Sequence, residues 1–306
     1  MQQSNQKKYL ILRILGNDLE GLHGTNQTIL NLEFTLKNES TFDNCKKMFI
    51  LNRIVSKEKK QNIIHLLNTY KYEFIDIPFD INEFKKISFN IPSFTEFKAY
   101  DRTQKIHSLI NHNLYLINNN GARNFCISYG KENGYMWTFV LDSNSFFTKE
   151  AFEDIIKNID EKNEYLIIPQ KRLKDNNLSN NLLLTNHYKQ PINDLPIQEP
   201  QIAFHKNSKY IFNEKIPYGE APKAELLNAL GVEGKWCSWT NFYDFYGLDI
   251  KPRKFKNIHF KKLSYIIRLS PFNNNNNFVN NWDLRYNGLY LLIKDIFNSH
   301  LHMSIK

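Results

Sequence analysis

Residues Tyr9 to Leu15 read YLILRIL, an almost unbroken apolar run closed by Gly16-Asn17-Asp18. A run of this kind, ended by turn-forming residues, is the pattern of a strand buried on both faces. Downstream, Thr25 to Asn38 sets Ile29, Leu32 and Leu36, with nearby Phe34, at helical spacing, and Thr25 is placed to cap the helix. Lys47 to Val55 (KMFILNRIV) reads as a second strand. Ser56 then caps an amphipathic helix over Lys57 to Tyr70, and Tyr72 to Ile77 (YEFIDI) is a third strand closed by Pro78. Parallel strands need a helical crossover, so this alternation predicts an α/β fold with a doubly wound, mostly parallel sheet.

Beyond it the pattern loosens. Asp80 to Tyr100 reads as irregular and aromatic. Lys105 to Tyr115 and Gly121 to Tyr129 read as helices, and Met136 to Leu141 (MWTFVL) as a buried strand ending at Asp142-Ser143-Asn144-Ser145. Thr148 caps a helix over Lys149 to Ile159, Tyr165 to Pro169 is a strand, and Asp175 to Asn181 is a polar loop. Pro200 to His205 reads as a strand, Pro222 to Leu230 as a helix, and further strands fall near Ile258 and over Tyr265 to Leu269. An Asn tract, Phe272 to Asn277, has loop composition. A helix over Asp283 to Phe297 follows.

Composition bounds the function. The 306 residues carry 42% hydrophobic and 23% charged side chains, which excludes wholesale disorder, and no apolar run reaches membrane-span length. The polar start leads into only seven residues of apolar strand, unlike a signal peptide, so the expected location is cytoplasmic. Three scattered cysteines form no metal-ligand spacing and read as buried or half-buried thiols. The net charge of +9 favours a polyanionic partner. The basic residues are too dispersed for a nucleic-acid module. Only Lys251 to Lys262 (KPRKFKNIHFKK) is dense, either a solvated edge or a patch for phosphate or lipid headgroups.

Candidate site residues cluster at strand ends, where open α/β sheets bind ligands. Arg13 interrupts an apolar strand, so it pairs with a structural acid such as Asp18 or with a ligand anion. Asn17 and Asp18, then Asn52 and Arg53, sit beyond two strands. Asn118-Asn119-Asn120-Gly121-Ala122-Arg123-Asn124 opens a helix whose free N–H groups favour an anionic or ribose-bearing ligand. Asp142 and Asn144, two residues apart in extended chain, face one side and offer oxygen ligands for Mg²⁺ or Mn²⁺. Glu214, Glu220 and Glu225 lie near a helix start, where carboxylates are more often caps than catalysts.

The order of these segments resembles the GT-A glycosyltransferases, most closely the second family of nucleotide-sugar transferases. Ala122-Arg123-Asn124 and Gly134-Tyr135 lead into Trp137 to Leu141 and Asp142-Ser143-Asn144; Phe212-Asn213-Glu214 and Gly219-Glu220-Ala221 follow, before Ala224 to Leu230 and Gly231. The likeness covers about Lys8 to Gly231 and is strongest from Asn118 to Thr148. Asn144 replaces a usual second Asp, and Ala221 stands where the family commonly has its catalytic Asp.

The resemblance implies transfer from a nucleotide-diphosphate sugar to a glycan or lipid-linked acceptor, in polysaccharide biosynthesis. It implies Mn²⁺ or Mg²⁺ on Asp142 and Asn144. It assigns the nucleotide sugar to Arg13, Asn17, Asp18, Asn52, Arg53, Asn120, Arg123, Asn124 and Asp142. The base would be Glu220, Glu199 or Glu225, and displacement would invert the anomeric centre. Two other readings stay open: a nucleotidyltransferase or phosphotransferase, and a non-catalytic sugar-nucleotide-binding protein. Residues 1–235 would form the nucleotide-sugar domain. Residues 236–306 would be an extension packed on it that borders the acceptor, whose anionic character or membrane-face location would suit the basic tract.

Overall fold

The computed structural model of the chain describes residues 8–24, 26–88, 92–173, 176, 197–243, 246–270 and 281–301. The parallel half forms as the apolar runs require. β1 (Tyr9–Leu15), β2 (Cys45–Asn52), β3 (Glu73–Ile77) and β4 (Trp137–Asp142) lie in the order β3-β2-β1-β4, all parallel. Between them run α1 (Gln27–Asn38), α2 (Lys57–Thr69), α3 (Ile81–Lys85), α4 (Phe94–Ala99), α5 (Arg102–Leu116) and α6 (Asn119–Glu132). Both faces of β1 are buried: Leu10 and Leu12 enter one core, Tyr9 and Ile11 another.

The sheet continues through β7 (Ile197–His205), antiparallel to β4, and β6 (Tyr165–Arg172), antiparallel to β7. Beyond β6 lie β9 (Ile266–Arg268), parallel to it, and β5 (Ser145–Phe146), while β8 (Phe260–Lys262) also pairs β6 in parallel. Five of these pairings are parallel and three antiparallel, so the sheet is mostly parallel, as expected. β8 and β9, which lie beyond residue 236, are strands of this sheet.

α7 (Lys149–Asn158), α8 (Ala224–Ala229), a 3₁₀ stretch (Lys235–Phe242) and α9 (Asn281–Leu301) complete the described elements. α9 packs beside α5, and Tyr286, Leu289, Tyr290 and Ile293 share a core with Phe97, Ile106 and Leu109.

Local expectations were met where local chemistry decides. Ser56 accepts from the Lys59 N–H and Thr148 from that of Ala151, as N-caps do. Three differ. β2 stops at Asn52 because Arg53 turns into the left-handed region at φ 48°. The stretch from Asp80 to Tyr100 holds α3 and α4, capped by Asp80 and Ser93. The Thr25 cap lies outside the described residues; α1 follows a left-handed Asn26 whose side chain makes no cap bond, and Asp18 accepts from the Thr28 N–H instead. The tract Phe272 to Asn277, and Asp175 to Asn181 apart from Asn176, also lie outside the described residues. Cys45 and Cys126 are buried, but Cys237 is exposed on the 3₁₀ stretch.

Candidate functional site at the switch point of the sheet

The chain winds from β1 out to β3, then returns to place β4 on the other side of β1. The strand order reverses between β1 and β4, and the crevice beyond their carboxyl ends is where such sheets bind ligands. Asp142 ends β4 there. Arg123 on α6 donates to its Oδ1 (2.9 Å), while Gln201 on β7 (2.9 Å) and Lys223 before α8 (3.2 Å) donate to Oδ2. Burial raises the Asp142 pKa, but the Lys223 and Arg123 charges and the Gln201 bond outweigh it and hold the carboxyl well below its usual range.

The start of α6 ties this tip to its surroundings. Arg123 also donates to Asn120 Oδ1 (2.9 Å), and Asn120 donates to the carbonyls of Asn213 (2.7 Å) and Pro222 (3.0 Å). Asn124 donates to Glu214 Oε1 (2.7 Å) and exchanges bonds with the Phe212 backbone. The segment from Phe212 to Glu214, some ninety residues away in sequence, is therefore pinned by α6. Beside it opens a cavity of about 320 Å³ whose wall includes Arg53, Tyr115, Asn118, Asn120, Glu214 and Tyr218. Arg53 stacks over the Tyr115 ring (4.2 Å) and donates to the Tyr115 carbonyl (2.6 Å). A β-carbon at Gly121 would stand 2.1 Å from Asn118 Oδ1, so the Asn118 side chain would have to move to admit one.

Other expected ligand residues hold the frame around the cavity. Asn17 donates to the Arg53 carbonyl and accepts from the Val55 N–H, so it bridges the loops after β1 and β2. Asn52 donates to the Ile117 carbonyl and accepts from Asn118. Asp18 pairs with Lys59 (2.9 Å) as well as with Thr28. Arg13 is 1% exposed and its partner is Glu39, which also holds Lys47 (3.0 Å). Arg13 does not pair with Asp18; its Nε donates to the Ser145 carbonyl (2.9 Å), just past the tip of β4.

The three carboxylates considered as base separate clearly. Glu220, 3% exposed, accepts from Trp282 (2.6 Å), Tyr286 (3.2 Å) and Arg102 (2.7 Å) and so joins α9 and α5 to the segment before α8. Glu225 accepts two bonds from Arg253, 2.8 and 2.6 Å. Both are saturated by structural donors. Glu199 on β7 is different: Oε2 stands 3.8 Å from Lys223, and Oε1 is buried with no hydrogen bond. Ala221 adopts φ 51°, a region costly for a β-carbon.

A divalent cation would need oxygen donors with open lone pairs. Both Asp142 oxygens already accept from cations, and among the described residues no group of three His, Cys, Asp or Glu side chains could hold an ion. Asn144 Oδ1 is buried without a partner, yet it is neutral. As arranged, Asp142 and Asn144 do not suit Mn²⁺ or Mg²⁺. Residues missed in the sequence complete the picture: Gln201, Lys223, Arg172 and Arg268. Arg172 and Arg268 carried a signal, since each is a charge at the end of an apolar strand; Gln201 and Lys223 carried none.

No family model and no curated protein matches this chain. Among solved structures it is similar to a 4-diphosphocytidyl-2C-methyl-D-erythritol synthase from Anaerococcus prevotii DSM 20548, at 15% identity and TM-score 0.34 over 94% of this chain and 97% of that one. It is also similar to the mannosyltransferase Ktr4p from S. cerevisiae in complex with GDP, at 17% identity and TM-score 0.26 over 54% of this chain and 41% of that one. A third is mouse xyloside xylosyltransferase 1, at 10% identity and TM-score 0.33 over 80% and 77%. TM-scores this low assign neither a fold nor an activity.

Proposed function

We propose that the chain is a glycosyltransferase that moves a sugar from a nucleotide-diphosphate donor to a hydroxyl acceptor. One observation carries this reading. Three segments that resemble the sugar-transferase family, Asn120 to Asn124, Asp142 and Phe212 to Glu214, converge at the switch point through the bonds of Asn120, Arg123 and Asn124. The neighbouring cavity is at the lower end of the size range for small-ligand sites, on the order of 300 Å³. Its Arg53–Tyr115 wall suits the nucleoside.

Glu199 is the base in this reading, since it alone of the three carboxylates keeps an oxygen without a hydrogen bond. It takes the acceptor hydroxyl proton; the acceptor oxygen bonds to the anomeric carbon as the bond to the diphosphate breaks. Attack opposite the leaving group inverts that centre. Exposed Lys251, Lys254 and Lys256 favour an anionic acceptor, a glycan or a lipid-linked one. No described helix is long and apolar enough to cross a membrane.

A panel of UDP-, GDP- and TDP-sugars tests the reading by product. Release of nucleoside diphosphate, lowered by about a hundredfold or more in Glu199→Gln with the fold intact, is the expected outcome. Release of pyrophosphate would point to nucleotidyl transfer instead. Binding without turnover would leave a sugar-nucleotide-binding protein.

A further inference from the structure

We infer that Arg172 and Arg268, together with Lys223 at Asp142, bind the phosphate groups of the ligand, so that side chains and not a divalent ion neutralise their charge. Arg172 on β6 and Arg268 on β9 are direct register partners in adjacent parallel strands, so their side chains leave the same face. Like charges placed opposite each other in a sheet are destabilising unless something compensates them. Among the described residues neither guanidinium has a carboxylate within ion-pair distance, Asp142 attracts Arg268 only from farther off, and Arg268 Nε is buried without a hydrogen bond. Burial and the Arg268 charge push the Arg172 pKa down to about 10.

This pair belongs to the Asp142 site. Ser145, the β5 partner of Arg268, accepts from Gln170 on β6 (2.8 Å) and from Gln201 (3.3 Å), and Gln201 donates to Asp142. The Asn144 carbonyl accepts from the Leu269 N–H (2.8 Å), which fixes the end of β9 against the tip of β4. Three cations, Arg123, Lys223 and Arg268, thus act on Asp142, Lys223 also stands 3.8 Å from Glu199, and Arg172 adds a fourth positive charge beside Arg268. The surplus of positive charge matches a diphosphate, whereas a metal ion would add to it. Guanidinium forks suit phosphate oxygens in particular.

Only the identity of the diphosphate as part of a nucleotide sugar rests on the function proposed above. Calorimetric titration with inorganic pyrophosphate in EDTA, and again with Mn²⁺, tests the clamp directly. Binding in EDTA is expected, with affinity in the two conditions agreeing within about threefold; Arg172→Gln and Arg268→Gln should each weaken it by about tenfold. Arg268→Lys should recover part of the loss. If Arg268→Gln does not fold by circular dichroism, Arg172→Gln decides alone. Binding that requires Mn²⁺, or that is unchanged in the folded glutamine variants, overturns the proposal. Competition by nucleoside diphosphate assigns the clamp to the donor, and its absence to a phosphorylated acceptor. Arginine-dependent pyrophosphate binding without turnover of any nucleotide sugar would keep the clamp and sink the transferase; turnover strictly dependent on Mn²⁺, with no pyrophosphate binding in EDTA, would do the reverse.

Discussion

Glu220 and Glu199 differ in what surrounds them, not in what they are. Glu220 receives an indole N–H, a phenol and a guanidinium, the last stacked on the Trp282 ring at 4.7 Å. Its neutral amide would offer one acceptor oxygen to three donors. Glu220→Gln is expected to lower the unfolding free energy by about 2 kcal/mol in urea titrations, less than for a fully buried pair because Arg102 keeps access to solvent. Glu199→Gln should leave the urea midpoint nearly unchanged. Neither role was legible in the sequence, since Glu220 meets its partners 62, 66 and 118 residues away. Arg13 shows the same limit: an acid was due beside it, and the fold supplied Glu39 while Asp18 went to the start of α1.

At the scale of elements, the strands were legible because β1, β2 and β4 are buried on both faces and read as continuous apolar runs. Caps were legible where they are local, as at Ser56 and Thr148. The docking of α9 was not, because it turns on a close backbone approach. A β-carbon at Gly288 would stand 2.6 Å from the Glu20 carbonyl oxygen and 2.9 Å from the Leu19 side chain. Gly288→Ala must therefore push α9 away from the turn after β1, with an expected cost of about 1–3 kcal/mol. The thermal midpoint of this variant should fall, and loosened α9 contacts should register as faster hydrogen exchange over Trp282 to Ile293.

The whole molecule carries a titration that couples stability to pH. His112 is 2% exposed in the core between α5 and α9, with the Phe84 ring at 5.2 Å, and burial lowers its pKa to about 4. The unfolded chain binds a proton near its ordinary value of 6.5 while the folded chain does not, so protonation favours unfolding between these values. Stability is therefore fully present above about 6.5 and falls as pH drops toward 4, by up to about 3 kcal/mol from this group. Asp142, with its depressed pKa, loses its contribution only at more acid pH. The urea midpoint should fall across this window, and His112→Leu should flatten the fall. An equal slope in both proteins would assign it to other groups.

By itself the sequence determined the α/β alternation, the parallel strands and the placing of polar segments at their carboxyl ends. These follow from hydrophobic periodicity and turn chemistry within a few residues of each other. Only the tertiary structure decided that β8 and β9 belong to the sheet, that Arg123 and Lys223 occupy Asp142, and that Glu199 keeps a free oxygen. The physical reason is range. A carboxylate's availability depends on which distant donors the fold brings within about 3 Å of it, and no local pattern records that distance.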